Sequence, residues 1–383
     1  GAAWIFSSEG FASKFKNWLS FGKIRLSYGS SGNDQIANYQ YMDGWGVQSN
    51  PYQSVPGIAP ARLFNPKYSW ELSRKMEAGL ELGFFNNKIL SEISFYRHRS
   101  GNQLVQYALP AQTGFTSIIA NLPALIQNTG IELSIQAKII DRTNLKWSLN
   151  GVVTLPHNKL LSFPDLETSS YATSYVIGEP LTLLYSYLFT GIDSTTGVYR
   201  FQDINNDGKY TRDDYSINGN VAPKYYGGVG TNVTYKCWTL DVFADFRKQI
   251  GRNYLWSLFT VPPGGMLNLP TYYSDRWQKP GNQITHQRLT TSAGTAAGIA
   301  FQRFQTSDGI YSDASFIRIK NISVGWEVPE GMFKKMKQGM LKLYIHAQNL
   351  FTISQYKGTD PETQNLIALP PMKTVAAGFQ LTF

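Results

Sequence analysis

The chain has 383 residues, of which 42% are hydrophobic, 14% aromatic and only 16% charged, with a formal net charge of +9. Charge is scarce against the usual quarter of a soluble chain, yet no apolar run reaches the ~18 residues of a membrane-crossing helix, which excludes a helical membrane bundle. The positive charge is not gathered: Lys334, Lys335 and Lys337 form only a short cluster, so nucleic acid is not expected as a partner.

The first residues, GAAWIFSSEGF, lack the charged start and cleavage site of a signal peptide. Beyond them the informative signal is period two, which places alternate side chains on opposite faces of a strand. Strands are expected at 22–29, 76–84, 89–99, 131–139, 145–153, 181–192, 224–236, 240–246, 315–328, 341–351 and 373–383, roughly eleven in all. In 76–84, Met76, Ala78, Leu80, Leu82 and Phe84 share one face and Glu77, Gly79, Glu81 and Gly83 the other. In 131–139, Ile131, Leu133, Ile135, Ala137 and Ile139 alternate with Glu132, Ser134, Gln136 and Lys138.

Short polar turns at Phe85-Asn86-Asn87-Lys88 and Asp141-Arg142-Thr143-Asn144 predict hairpins. Long connections are expected at 30–70, 100–128, 155–180, 193–222 and 250–313, and the only helical tendency is around 254–279, broken by Pro262-Pro263-Gly264-Gly265. Short turns on one side, long loops on the other and runs of about ten residues suit a tilted strand crossing a bilayer better than a sandwich strand of five or six. The expectation is an all-β fold: an antiparallel transmembrane β-barrel segment with long extracellular loops.

The sharpest local motif is DINNDGKYTRDD over 203–214. Oxygen side chains stand at loop positions one, three, five, nine and twelve (Asp203, Asn205, Asp207, Thr211, Asp214), with Gly208 at six and the Lys209 carbonyl available at seven. That spacing wraps Ca²⁺ in EF-hand-like loops, though Asp214 stands where a bidentate Glu is usual. The same residues also suit an Asx-rich turn that holds itself together without metal. Nothing assembles into a catalytic set. Asp213 and Asp214 are adjacent and, in a strand, would point to opposite faces, so no enzyme is expected.

Aromatics crowd the long loops (Tyr39, Tyr41, Trp45, Tyr52, Tyr171, Tyr175, Trp256, Tyr272, Tyr273, Trp277). Tyr41, Trp45, Tyr272 and Trp277 are the candidates for substrate contact, with loop packing and interfacial anchoring as the alternative use of such rings.

Several segments, in order, resemble the C-terminal portion of the SusC/RagA family of TonB-dependent outer-membrane transporters. They are AAWIFSSEGF (2–11), WLSFGKIRLSYGSSGNDQIANYQY (18–41), the block from DINNDG to DVFADF (203–246), SDRWQKPGN (274–282), SDASFIRIKNISVGWEVP (312–329), LYIHAQNLFTISQYKGTDPE (343–362) and VAAGFQLTF (375–383). The resemblance implies a Gram-negative outer-membrane barrel of about 22 strands with a plugged lumen, of which residues 1–383 supply about half. An open half-sheet would leave unpaired edges in lipid, so the remaining strands, the plug and the TonB-contacting box are expected to lie outside these residues.

The terminal alternation ending on Phe383 reads as the closing strand. The implied function is import of an oligosaccharide or oligopeptide, with a SusD-like surface lipoprotein and TonB as partners and lipid and lipopolysaccharide around the wall. A non-transporting scaffold barrel and a secreted carbohydrate-binding β-sandwich are the alternatives.

Overall fold

The computed structural model describes residues 1–33, 39, 41–47, 53–256, 262–266, 268–282, 284–329, 340–365 and 368–382. The Lys334–Lys337 cluster, Tyr52 and the terminal Phe383 lie outside them.

The chain divides into two units. The first comprises Gly1–Ser134 with Leu155–Leu181, the second Ile135–Thr154 with Thr182–Phe383. In the first, β1 (Ala2–Trp4) pairs with β2 (Leu19–Asn33), while β3 (Gly44–Val47) and β4 (Ile58–Arg62) form a separate hairpin. β5 (Glu71–Phe84) follows β2 and pairs with β6 (Ile89–Ala108). β7 (Ser117–Arg142) and β8 (Leu145–Ser162) run through both units.

The second unit continues with β9 (Leu183–Tyr187), β10 (Phe189–Ile192), β11 (Tyr199–Phe201) and β12 (Tyr215–Asn220), then β13 (Tyr225–Tyr235) and β14 (Trp238–Lys248). β15 (Ile250–Arg252), helix α1 (Ala296–Phe304), β16 (Tyr311–Asp313), β17 (Phe316–Glu327), β18 (Met340–Ser354) and β19 (Thr374–Thr382) complete it. The main antiparallel sheet has 11 strands in the order β1-β2-β5-β6-β7-β8-β13-β14-β17-β18-β19.

The registers turn the period-two pattern into two chemically distinct surfaces. In the first unit, Ile24, Leu80 and Ile93 lie side by side across β2, β5 and β6, and one residue along, Lys23, Glu81 and Glu92 align on the opposite face. In the second, Leu240, Val324, Ile345 and Ala377 align on one face and Asp241, Ser323 and His346 on the other. No second sheet covers the apolar face among the described residues, so Ile131 is 48% exposed, Ile345 53% and Phe379 71%. A sandwich, by contrast, buries its apolar face against a partner sheet.

Aromatics cluster where this band ends at the short turns: Trp18 stacks on Phe84 at 5.8 Å, and Trp238 on Trp326 at the same distance. Rings at this level match the interfacial girdles of membrane barrels. The turns themselves are tight. Phe85, Asn86 and Asn87 all take left-handed φ (51°, 57° and 59°), which Asn tolerates better than most residues.

Three sequence expectations need correction. First, 181–192 is not a strand of the main sheet. It forms the short β9 and β10 in the loop region, and the eleventh main strand is β1 at Ala2–Trp4. Second, most of 100–128 and the start of 155–180 are strand, because β6, β7 and β8 extend well past the apolar band. There Leu122, Ala124 and Ile126, of opposite parity to Ile131 and Leu133, are buried on the inner face with Leu160, Phe163 and Leu166. The apolar parity thus switches along β7, and Pro123 hides the strand further.

Third, no helix of note is expected beyond the broken tendency at 254–279, yet among the described residues an α-helix forms at Ala296–Phe304. It starts at Thr295, whose hydroxyl accepts from the Gly298 amide. Asp213 and Asp214 occupy a 3-10 turn, Arg212–Asp214, within the expected 193–222 connection.

The long connections of the second unit fold together. Tyr187, Tyr199, Phe201, Phe301, Phe304 and Ile310 form one buried cluster, with Tyr199 stacked on Phe304 at 4.3 Å. Loops of this length need a core of their own, and aromatic pairs supply large buried area from few residues.

The two-face assignment predicts opposite outcomes for adjacent residues. Val324→Lys, on the apolar face, should destabilise the full-length protein by about 2–4 kcal/mol if it sits near the bilayer midplane. Ser323→Lys, on the other face, should be close to neutral. Urea unfolding in lipid vesicles measures both, and equal losses would sink the assignment.

Candidate functional site

The inner face of the first unit carries a cross-strand ion network. Lys23 Nζ lies 3.0 Å from Glu81, and Arg25 approaches Glu81 at 3.6 Å, makes a close contact with Glu92 and donates to Ser94 Oγ at 2.8 Å. Arg25 can lie across the sheet because Gly79 leaves the space: a Cβ there would come within 2.2 Å of the guanidinium Nε. Further along, His98 faces Glu77 at 3.5 Å. Arg25, Glu77, Tyr96, His98, Asn128 and Glu132 line an open recess of about 660 Å³.

In the second unit the strongest polar feature is Arg318. Its side chain is 2% exposed and forms close charge-assisted contacts with Asp360 and Glu362, and its Nε donates to Thr352 Oγ1 at 2.9 Å. Lys320 joins Glu362 at 2.7 Å and Asp245 at 3.7 Å. A bulge places these cations together: register shifts on both sides of Lys320 leave Ile319 and Ile322 on the apolar face while Arg318 and Lys320 both reach the acids.

Asp360 and Glu362 belong to the connection after β18, so this cluster pins that loop to the sheet. The loop is held again by Gln249 Nε2 donating to the Pro361 carbonyl at 2.7 Å, and by the Tyr254 amide donating to Lys357 at 2.7 Å. Burial alone would raise the Asp360 pKa, but the Thr363 amide and the Arg318 guanidinium outweigh it and hold the carboxyl below its usual range.

The 203–214 loop is brought together largely by its own amides. Asp203 Oδ2 accepts from the Gly208 amide at 2.9 Å, Asn205 Oδ1 from Asp207 at 3.1 Å and Asp207 Oδ1 from Lys209 at 2.7 Å. Asn206 and Gly208 take the positive φ values (57° and 76°) that curl the chain. Both Asp214 oxygens are engaged, Oδ1 by the Ile204 amide and Oδ2 by the Thr211 amide, each at 2.8 Å, and Thr211 with Asp214 forms a capping box. The amides of Thr211, Ile204 and Asn205 lower the Asp214 pKa. Its enclosure (0% exposed) comes from the loop wrapped around it.

Among the described residues no three His, Cys, Asp or Glu side chains gather in a metal-binding group. Asp203 nevertheless keeps one enclosed oxygen, Oδ1, without a partner.

Of the four aromatic candidates, Tyr272 and Trp277 lie in one loop of the second unit and are used for packing. Tyr272 donates to the Tyr254 carbonyl at 3.1 Å, and Trp277 donates to Ser194 at 3.0 Å and covers Gly197, which needs its φ of +69° and would clash if it carried a Cβ. Tyr41 and Trp45 belong to the first unit and are 46% and 62% exposed, Trp45 on the β3–β4 hairpin. Tyr171 and Tyr175 stack at 5.5 Å against the inner-face cluster, and Trp256 packs beneath Arg252.

Two groups escaped the sequence reading. Arg318 and Lys320 were visible as alternate cations in an apolar strand, but nothing in the sequence pairs them with Asp360 and Glu362. His286 is 2% exposed and lies against Tyr272 and Tyr273 at 5.3 and 5.0 Å. Its Nδ1 lies 3.0 Å from the Asp275 carbonyl, which can only accept, so that nitrogen carries the proton. Burial lowers its pKa and keeps it neutral at neutral pH.

The family model described as TonB dependent receptor-like, beta-barrel matches residues 3–350. Among curated proteins the chain is similar to TonB-dependent receptor P3 of Formosa agariphila, 26% identical over 391 residues that cover 94% of this chain and 37% of that protein. It is also similar to TonB-dependent receptor SusC of Bacteroides thetaiotaomicron, 24% identical over 409 residues covering 99% and 39%. The chain thus spans roughly two fifths of the length of the curated relatives it matches. Among solved structures it superposes on the RagAB peptide importer in the closed-closed state with a TM-score of 0.83 at 24% identity, over 100% of this chain and 43% of that one. The SusC/RagA resemblance seen in the motifs holds along the whole chain.

Removing Arg318 tests how the loop after β18 is held. In the full-length protein, Arg318→Met leaves two carboxylates without their guanidinium and should destabilise the loop by about 3–5 kcal/mol. In the wild type, Asp360 has a folded pKa below its unfolded value, so its contribution should persist above about pH 4 and fade as pH falls below that. Proteolytic cleavage within 355–365 reads both effects. Equal protection in wild type and variant at neutral pH would sink the lock.

Proposed function

The chain belongs to the TonB-dependent receptor β-barrel family, and on that premise we propose that it forms part of the wall of an outer-membrane importer. The observation that carries the reading is the pairing of an uncovered apolar face with an ion-paired inner face on the same strands, within residues matched by the family. The apolar face meets lipid, and the inner network of Lys23, Arg25, Glu81 and Glu92 provides a charged surface on which a plug can pack.

The cargo is a nutrient too large for simple diffusion, an oligosaccharide or oligopeptide, admitted from the loop side and released by TonB-coupled movement of the plug. A surface lipoprotein of the SusD type closes over the loops. Exposed Tyr41 and Trp45 are the rings left available for cargo or lipoprotein, whereas Tyr272 and Trp277 shape the loop body that presents them.

Whole cells test this directly. Deleting the full-length gene should abolish accumulation of the cargo oligomer, and deleting TonB should do the same. Uptake that persists without TonB would sink the importer and leave the scaffold reading.

A structural Ca²⁺ in the 203–214 loop is a second element of the proposal, favoured by the unpartnered, enclosed Asp203 Oδ1. Asp203, Asn205, Asp207 and the Lys209 carbonyl would hold the ion, while Thr211 and Asp214 remain committed to the cap. Ca²⁺ should raise the melting temperature of the full-length protein over that in EDTA, and the double change Asp203→Asn, Asp207→Asn should remove the difference. A wild type indifferent to Ca²⁺ would dispose of the ion.

A further inference from the structure

The apolar face of the first unit ends, on its loop side, in three arginines. Arg74 on β5 and Arg99 on β6 are direct register partners, and Arg97 stands two residues along β6 on the same face, opposite Met76. Like charges placed directly opposite each other across a strand pair repel, so the arrangement needs compensation. Among the described residues none of the three forms a salt bridge, and their side-chain partners are neutral. Arg99 Nε donates to Gln127 Oε1 at 2.8 Å, and Arg97 Nη2 to the Met76 sulfur at 3.5 Å.

Their neighbours on this face, Ser30 opposite Arg74 and Tyr28 opposite Met76, carry no negative charge either. The acids of these strands, Glu71, Glu77, Glu81 and Glu92, alternate to the inner face, and Glu71 accepts from Asn33 and from the Leu104 amide.

Position tells what supplies the missing charge. Below the arginines, Ala78, Leu80, Leu82, Ile93 and Phe95 form the apolar band, which ends at the turn near Phe84 and Ile89. From Ile89 to Arg99, the partner of Arg74, is about 34 Å of extended chain, or about 26 Å along the bilayer normal for a strand tilted ~40°, which matches the ~25 Å apolar band of such barrels. The cluster therefore sits at the headgroup level of the leaflet on the loop side.

We propose that Arg74, Arg97 and Arg99 form a binding site for the phosphate groups of a phosphorylated glycolipid in that outer leaflet. The guanidinium forks donate to phosphate oxygens while the acyl chains lie on Leu80, Ile93 and Phe95. This rests on the outer-membrane reading above and assigns residues to a lipid contact that reading leaves general.

The full-length transporter, purified from outer membranes, provides the test. Wild type is compared with the triple change R74Q, R97Q and R99Q, and with K75Q on the opposite face of the same strand. The readout is co-purified phosphorylated glycolipid by native mass spectrometry, with heat-modifiable gel migration confirming the fold. The triple variant should retain less lipid by on the order of tenfold or more, and K75Q as much as wild type.

A second arm needs no variant: delipidated wild type in micelles is offered the glycolipid, its enzymatically dephosphorylated form, or inorganic phosphate. Binding of the first alone supports the site. Equal retention by wild type and triple variant overturns the proposal, as does equal binding of the dephosphorylated lipid, or inorganic phosphate occupying the site as well as the lipid does. Absence of the wild type from the outer-membrane fraction would sink the importer itself, whereas normal insertion with unchanged lipid retention removes only this site.

Discussion

Within hydrocarbon a backbone amide has no water to bond, and every N–H and C=O must find a partner inside the protein. The long antiparallel ladders of this chain answer that constraint, and the other features depend on them. Because ladder geometry alternates side chains strictly, one face of each strand can be surrendered to lipid and the other reserved for ions. Ile24, Leu80 and Ile93 beside Lys23, Glu81 and Glu92 show the arrangement within a single strand trio. A one-residue slip would exchange the two sets, so the tight turns at Asn86-Asn87 and the bulge at Lys320 matter as register devices as much as connections.

Beyond the uncovered apolar band the solution changes. On β7 the apolar parity switches from Ile131 and Leu133, on the uncovered face, to Leu122, Ala124 and Ile126, facing a loop-built core. In the second unit the loops bury Tyr187, Tyr199, Phe201 and Phe304 together, and Arg318 ties the last loop to the sheet. A buried ion pair adds little net stability over an apolar substitute, but it enforces a particular partner. Arg318 therefore specifies which loop docks and at what height.

The apolar band of the sheet was largely legible because strict alternation is a simple code. Ile131 to Ile139 alternates without exception and forms strand where expected. Legibility failed where another rule governed. LPALIQN does not alternate polar with apolar because both its faces are covered or rim-exposed, so a strand passed for a loop. Helix α1 is short, with an apolar face matched to an aromatic core that no local pattern announces. The acidic loop was visible as a motif, but not that Asp214 would spend both oxygens on amides. Arg318 and Asp360 are 42 residues apart, a pairing that only the folded sheet brings about.

The aromatic loop core has a consequence for the order of folding. Its parts come from segments around residues 187, 201, 304 and 310, and closing such separated loops costs chain entropy before any ring contact repays it. Helix α1 has nine residues, too few to persist alone in water. The hairpins of the sheet close locally and cheaply, and once formed they hold the ends of every long loop at fixed spacing. The loop body is thus the late-assembling part of the molecule, templated by a wall already in place, and its cohesion reports that the strands beneath it have found their register.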